Sequence, residues 1–257
     1  MKKSFSAATL ALAFAYPVAG FAADAASSPH TFTGNVMLAS EYLYRGIAQT
    51  NGKAALQGGF DYAHASGAYL GVWGSNISWL SDVGAGISAP LELDVYGGYK
   101  GSLGGDLSYD VGVLTYNYPG SYPAGFTDPD TTEVYGALGW KFVTLKYSSV
   151  VSSHIFGFTT PSGGKTRGSG YTDLSANYDL GNGWGVNAHV GHQTVKDFSA
   201  ASYTDWKLGV SKDLGFGALA LSYSSTNAKG GVGEPYRNAF SRDLGDGRAV
   251  IAFSKTF

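Results

Sequence analysis

Cysteine is absent from the 257 residues, which excludes a disulfide framework, a thiolate metal site and a cysteine nucleophile. Charge is scarce, at 14% of residues against about 25% in an average soluble chain. The formal net charge of −2 leaves no basic footprint for nucleic acid. Beyond the first two dozen residues there is no apolar run of the ~18 residues that a membrane-spanning helix needs. What the chain has instead is 38 Gly, 18 Tyr, 14 Phe and 5 Trp. Glycine at about twice its usual frequency argues against a helical bundle, because each interior helical Gly costs about 1 kcal/mol relative to Ala. So many aromatics argue against disorder. Mean hydropathy is near zero, −0.04, so apolar and polar residues are balanced. That balance suits β-strands with one face of each kind.

The N-terminus sets the expected compartment. Met1-Lys2-Lys3 is a short positive segment, Ala7 to Phe21 is apolar, and Gly20-Phe21-Ala22 carries small residues at the −3 and −1 positions of a cleavage site. This pattern reads as a secretory signal peptide over residues 1–22, leaving a single exported domain over 23–257.

From Thr31 onward the chain alternates with period two over segments of about ten residues. In Leu91-Glu92-Leu93-Asp94-Val95-Tyr96, one face is apolar and the other carries carboxylates and a tyrosine. Thr204 to Ser211 and Trp184 to Gly191 alternate in the same way. The pattern predicts twelve strands, roughly 32–44, 54–64, 68–79, 90–100, 106–116, 132–140, 143–153, 171–180, 184–195, 203–213, 218–226 and 248–257. Short connections such as Gly181-Asn182-Gly183 alternate with long ones rich in Gly, Pro, Ser, Thr and Asp. The link at Trp140-Lys141-Phe142 has no turn residue, and the even count depends on it. These features predict an all-β, transmembrane, antiparallel up-and-down β-barrel in a bacterial outer membrane, with short periplasmic turns and long extracellular loops. Closure lets every backbone hydrogen bond form inside hydrocarbon. Ala249, Ile251, Phe253 and the terminal Phe257 share one face of the last strand. A terminal aromatic strand resembles the signal read by the outer-membrane assembly machinery, although Lys255 interrupts the pattern. Expected partners are therefore outer-membrane lipid and that machinery; the sequence leaves the oligomeric state open.

Lipid requires the apolar face outward, so the polar face lines the lumen. That assigns Glu41, Arg45, Gln57, Asp61, Glu92, Asp94, Lys100, Asp110, Glu133, Lys146, Asp173, Asn177, Asp179, His189, Gln193, Asp205 and Lys207 to the lumen or its rims, with Lys141 joining them through its strand. For each residue the plain reading is a paired or solvated interior group, and the functional one is a charge ring that filters ions. Acids outnumber cations in this set, which leans towards cation preference. Tyr42, Tyr44, Trp73, Trp79, Tyr99, Trp140, Trp184 and Trp206 fit interfacial girdles. Inward Gly59, Gly98, Gly112, Gly139 and Gly191 are expected to thin the lumen wall. About eight strands give a filled interior and 16–18 an aqueous channel, so twelve suit a narrow pore or one closed by inward-folded loops.

Tyr42-Leu43-Tyr44-Arg45-Gly46-Ile47-Ala48-Gln49-Thr50, followed by Lys53 to Tyr62, resembles the first hairpin of the TorF family, proteobacterial outer-membrane proteins that carry a porin label and are also called the Gcw_chp family. Gly71 to Trp79 and Glu92 to Tyr99 resemble its next two strands. Ala54 departs from the proline expected there. The resemblance implies an outer-membrane barrel with a pore function, without a substrate or catalytic residues. Arg45 itself has two readings. One is a cation near the pore mouth, paired with Glu41, Asp61 or Glu92 and Asp94. The other is an ion pair pinning loop to wall, with Gly46 supplying a special backbone angle.

No motif for covalent chemistry is present. Gly86-Ile87-Ser88-Ala89-Pro90 lacks the last glycine of a nucleophile elbow. His189 and His192, three apart on a strand, face opposite ways and cannot chelate together. His154 with Ser152 or Ser153 is the least poor start for a Ser/His arrangement. Asp128, Asp130 and Glu133, or Asp243 and Asp246, lack the spacing of a calcium loop. The expectation is a non-enzymatic channel for passive diffusion of small hydrophilic solutes or ions, without cofactor or metal. The alternatives are a non-conducting barrel acting through its loops in adhesion or structure and, behind it, an outer-membrane hydrolase.

Overall fold

A computed structural model describes residues 28–84 and 86–257; the signal-peptide reading of residues 1–22 lies outside them. Twelve antiparallel strands close into one barrel. They are β1 (His30–Ala39), β4 (Ala55–His64), β5 (Ala68–Asn76), β6 (Leu91–Gly104), β7 (Leu107–Asn117), β8 (Thr131–Trp140), β9 (Val143–Val150), β10 (Gly170–Gly181), β11 (Trp184–Thr194), β12 (Tyr203–Asp213), β13 (Ala218–Thr226) and β14 (Arg248–Thr256). Two very short strands, β2 (Leu43–Tyr44) and β3 (Ile47–Ala48), form a separate hairpin. Each barrel strand pairs with its sequence neighbour, and β1 closes on β14 from Asn35↔Thr256 to Ala39↔Ala252. No edge is left to pair with another chain.

Alternation determines which way each side chain points. Leu91, Leu93 and Val95 stand outward and exposed, while Glu92, Asp94 and Tyr96 are buried inside. The same rule exposes Phe32, Phe60, Leu70, Leu138, Leu174, Leu208, Leu221 and Ile251. An apolar outer band around a polar interior is the arrangement that a bilayer requires. The turn without a turn residue does form: Trp140 pairs with Val143, and Lys141 adopts φ +54, a left-handed conformation that side chains other than Gly, Asn and Asp rarely take. Lys141 is therefore an exposed turn residue facing Asp106 at 4.0 Å, and not a lumen residue.

Three expectations are corrected. The first strand ends at Ala39, not at residue 44, because the segment after it turns into the barrel. Half of the expected girdle residues do not belong to it. Tyr99, Trp140, Trp184 and Trp206 face outward, whereas Tyr42, Tyr44, Trp73 and Trp79 pack against one interior cluster. Three of the five inward glycines, finally, do not thin the wall. They seat tyrosine rings from neighbouring strands: a Cβ at Gly98, Gly112 or Gly191 would collide with Tyr69, Tyr135 or Tyr171 respectively, and Gly71 seats Tyr96 in the same way, whereas Gly59 lies against the Val72 and Trp73 backbone and Gly139 against the Ser108 hydroxyl. Volume saved at a ring-seating glycine is taken up by the ring laid over it.

Candidate functional site

The connection from β1 to β4, residues 40–54, bends into the lumen at the end of the barrel that carries the long loops, and its tip is the β2–β3 hairpin. Arg45 and Gly46 form the turn, with φ +47 and +77. Leu43 and Ala48 pack on Met37, Ala39, Val250 and Ala252 of β1 and β14. From that side the hairpin reaches across to the others. The Tyr42 hydroxyl donates to Glu92 on β6 at 2.8 Å, and its ring meets Trp73 of β5 edge-on. Burial, then the negative charges of Glu92 and Asp94, hold the Tyr42 hydroxyl well above the ordinary tyrosine range, so it stays a donor. Tyr44 shares a 2.5 Å hydroxyl contact with Tyr116 of β7. Gly46 lies so close to β12 and β13 that a Cβ there would collide with Thr226 and stand 2.9 Å from the Asp205 Cβ. Only glycine combines that approach with that φ.

Arg45 is the centre of the arrangement. Its Nη1 and Nη2 donate to Glu133 Oε1 and Oε2 of β8 at 3.0 and 2.7 Å, a two-pronged pair. Nη1 also donates to Gln193 Oε1 of β11 at 2.7 Å. The guanidinium carbon lies 4.1 Å from the ring centre of Tyr171 on β10 and 4.9 Å from that of Tyr44. Both members of the ion pair are almost wholly buried, with side chains 8% and 1% exposed. Planar bidentate pairing and ring stacking are what arginine does and lysine cannot. The partner is thus Glu133, and not Glu41, Asp61, Glu92 or Asp94.

The remaining lumen groups fall into neighbourhoods set by register. Glu41 lies in the loop, accepts from the Gly52 amide at 2.7 Å, and faces Arg248 and Arg242 at 3.7 and 3.9 Å. Gln57 of β4 donates to Ser75. Asp61 accepts from Tyr96 at 2.6 Å. Lys100 sits opposite Asp110 across β6 and β7, and the Asp110 carboxylate accepts from Tyr69. Lys146 is cross-strand from Asp173 and lies 3.9 Å over the Tyr135 ring. His189 stands between two carboxylates, with Nδ1 2.9 Å from Asp173 and Nε2 3.4 Å from Asp205; Lys207 is its cross-strand neighbour. Tyr171 donates to Asp205 at 2.9 Å. Asp94, 1% exposed, has no protein hydrogen-bond donor at either oxygen. Glu92, Asp94, Glu133 and Asp205 are thus four buried carboxylates around a hairpin whose tip carries one cation.

Tyr44, Tyr116 and Tyr171 belong to this site although sequence reasoning did not single them out as lumen groups. For Tyr171 the signal was present: it shares a parity with Asp173, two residues on. Other sequence candidates do not come together. The Ser152 hydroxyl donates to the backbone carbonyl of His154, not to its ring. His192 faces outward and meets Thr204. Asp128, Asp130 and Asp243 accept from backbone amides of their own or facing loops. Among the described residues no group of three or more acidic or histidine side chains is placed to hold a metal ion.

Solved structures share the architecture. The NanC porin, in a rhombohedral crystal form, superposes with a TM-score of 0.54 over 88% of this chain and 98% of its own, at 11% identity. The KdgM porin gives 0.51 over 88% and 99%, at 8% identity. KdgM in complex with disordered oligogalacturonate gives 0.50 over 88% and 98%, at 7% identity. At such identities the likeness is one of fold. No curated protein sequence matches the chain. Residues 23–257 match the model of a family described as a bacterial protein of unknown function, and the chain belongs to that family, Gcw_chp.

Proposed function

We propose that the protein is an outer-membrane channel that passes small hydrophilic solutes or ions by diffusion, selecting them by lumen width and charge. The observation that carries this reading is the pairing of a charged, tyrosine-lined lumen with a single two-pronged contact, Arg45 to Glu133, where an inserted hairpin meets the far wall. A barrel that served only as an anchor has no use for buried carboxylates, each of which costs several kcal/mol to desolvate. The apolar outer band supports the membrane location, and the porin architecture of the structural neighbours fits both.

Acids dominate the lumen near the hairpin, and this supports a preference for cations. KdgM has been seen with oligogalacturonate, a polyanion; the carboxylates here oppose such a solute. The test is single-channel recording of the refolded protein in a planar bilayer. Stepwise currents with a reversal potential on the cation side are expected. Silence at every voltage and pH would sink the channel reading in favour of a non-conducting barrel that works through its long loops.

A further inference from the structure

Arg45 occupies something more specific than a generic ion pair. A carboxylate with both oxygens aligned takes two of its N–H groups, an amide oxygen takes another, and the rings of Tyr171 and Tyr44 lie against the guanidinium. The Glu133, Gln193, Tyr171 and Tyr116 side chains all belong to the barrel wall, whereas Arg45 is delivered by the hairpin. The wall therefore contains the polar contacts and one stacking ring of a receptor for a guanidinium group, built from three separate strands and the hydroxyl of Tyr116, 3.4 Å from Glu133 Oε2. Around it carboxyl groups outnumber cations: Asp205 lies under the hairpin tip, and Asp94, without a protein donor, is an electrostatic neighbour of Glu133, against one lysine, Lys146, that neighbours both Glu133 and Arg45. A cation that displaced Arg45 would not leave the region short of positive charge, because the arginine itself stays nearby on its loop.

We propose that this seat is a recognition site for solutes carrying a guanidinium group, and that Arg45 is a tethered occupant which such a solute replaces as it passes the hairpin. The transport half of this inference rests on the channel reading above; the binding half does not. Tethering gives Arg45 an effective concentration on the order of millimolar, so a free guanidinium solute competes in that range. Selectivity follows from shape. The forked donors of a guanidinium match both oxygens of Glu133, while an alkylammonium of equal charge offers a point contact.

The test uses Arg45→Ala in the full barrel, with methylguanidinium, methylammonium and sodium chlorides compared at equal ionic strength in the low millimolar range. Methylguanidinium is expected to raise the unfolding midpoint of R45A saturably, methylammonium to do so far less, and sodium not at all. Adding Glu133→Gln should weaken the methylguanidinium effect by about tenfold or more, the loss expected when one partner of a buried charge pair goes. In bilayers, R45A should conduct more than wild type and be blocked by methylguanidinium over the same range. Equal shifts with methylammonium, or shifts untouched by E133Q, overturn the guanidinium seat. A midpoint shift without any current in either protein upholds the seat and overturns the channel. Should R45A not refold, refolding with methylguanidinium present becomes the assay. Glu133-dependent recovery supports the proposal, and recovery no better than in sodium chloride overturns it.

Discussion

Gly191 lies beneath the tyrosine that stacks on Arg45, so the smallest change there tests the architecture of the site. A Cβ added at Gly191 would overlap the Tyr171 hydroxyl and Cζ and stand 2.9 Å from Cε2. Ordinary carbon contacts begin near 3.5 Å, so the ring must swing away by about 1.5 Å. Tyr171 then loses its 2.9 Å bond to Asp205 and its place 4.1 Å from the Arg45 guanidinium. The first loss is worth about 1.5–3 kcal/mol and the second about 0.5–2 kcal/mol. Replacing Gly by Ala returns about 0.4–1 kcal/mol through the unfolded chain, which leaves Gly191→Ala destabilising by about 1–4.5 kcal/mol. Gly136→Ala is the control, since its Cβ would meet nothing nearer than Val111 Cγ1 at 4.0 Å. Urea unfolding in detergent, followed by the loss of the compact heat-modifiable gel band, measures both variants. A double-mutant cycle with Tyr171→Ala isolates the cause: once the ring is gone, G191A should cost nothing. If G191A matches G136A, or costs the same with and without the Tyr171 ring, the ring-over-glycine account is wrong.

Other substitutions separate the contributions of single groups. Glu133→Ala leaves a buried Arg45 without its carboxylate and should cost about 3–5 kcal/mol in the same urea assay; a change within error would show that the pair is not buried in solution. Asp94→Asn removes a buried charge that has no protein donor and lies near Glu92 and Glu133. It should raise the unfolding midpoint by the equivalent of about 1–3 kcal/mol, and a lower midpoint would mean that the carboxylate is held by something it needs. Lys141→Gly relieves the +54° φ of the β8–β9 turn and should stabilise by about 1 kcal/mol, read from the same unfolding curves; destabilisation would refute the strain at that turn.

Most of the wall was legible in the sequence because a strand's two faces obey one rule, and the rule repeats. Leu91, Leu93 and Val95 against Glu92, Asp94 and Tyr96 is enough to orient β6, and the same parity orients its neighbours through the ladder. Segment 40–44 misled for the same reason. These residues continue the alternation of β1, so they read as five more wall residues. The wall strand stops at Ala39, and what folds the continuing alternation back on itself is the backbone, not hydropathy: Arg45 and Gly46, the turn of the β2–β3 hairpin, both take positive φ, and nothing in an arginine announces that. The glycines misled differently. Parity places Gly98, Gly112 and Gly191 inward, but the tyrosine that fills each space comes from a neighbouring strand, at a distance set by pairing register.

The same limit explains why the partner of Arg45 could not be read from the chain. Glu133 is 88 residues away, and Gln193 is 148 away; local pattern carries no information over such separations. Register does carry it, once closure is known. β8 lies on the far side of a twelve-stranded ring from β1 and β14, and β11 about a quarter of the way round from β14, where the base of the hairpin is packed. A side chain that starts from β1 and reaches Glu133 must therefore cross the lumen. That crossing lets the bore beside the hairpin depend on contacts between the loop and the far wall, Arg45 to Glu133 above all, whereas a wall thickened by its own side chains would have no such contact to release. A twelve-stranded barrel is too wide to be sealed by small inward residues and too narrow for a large folded domain, so a short polar hairpin is an economical way to set its bore. Its sensitivity to Arg45, Glu133 and Gly191 follows from that geometry.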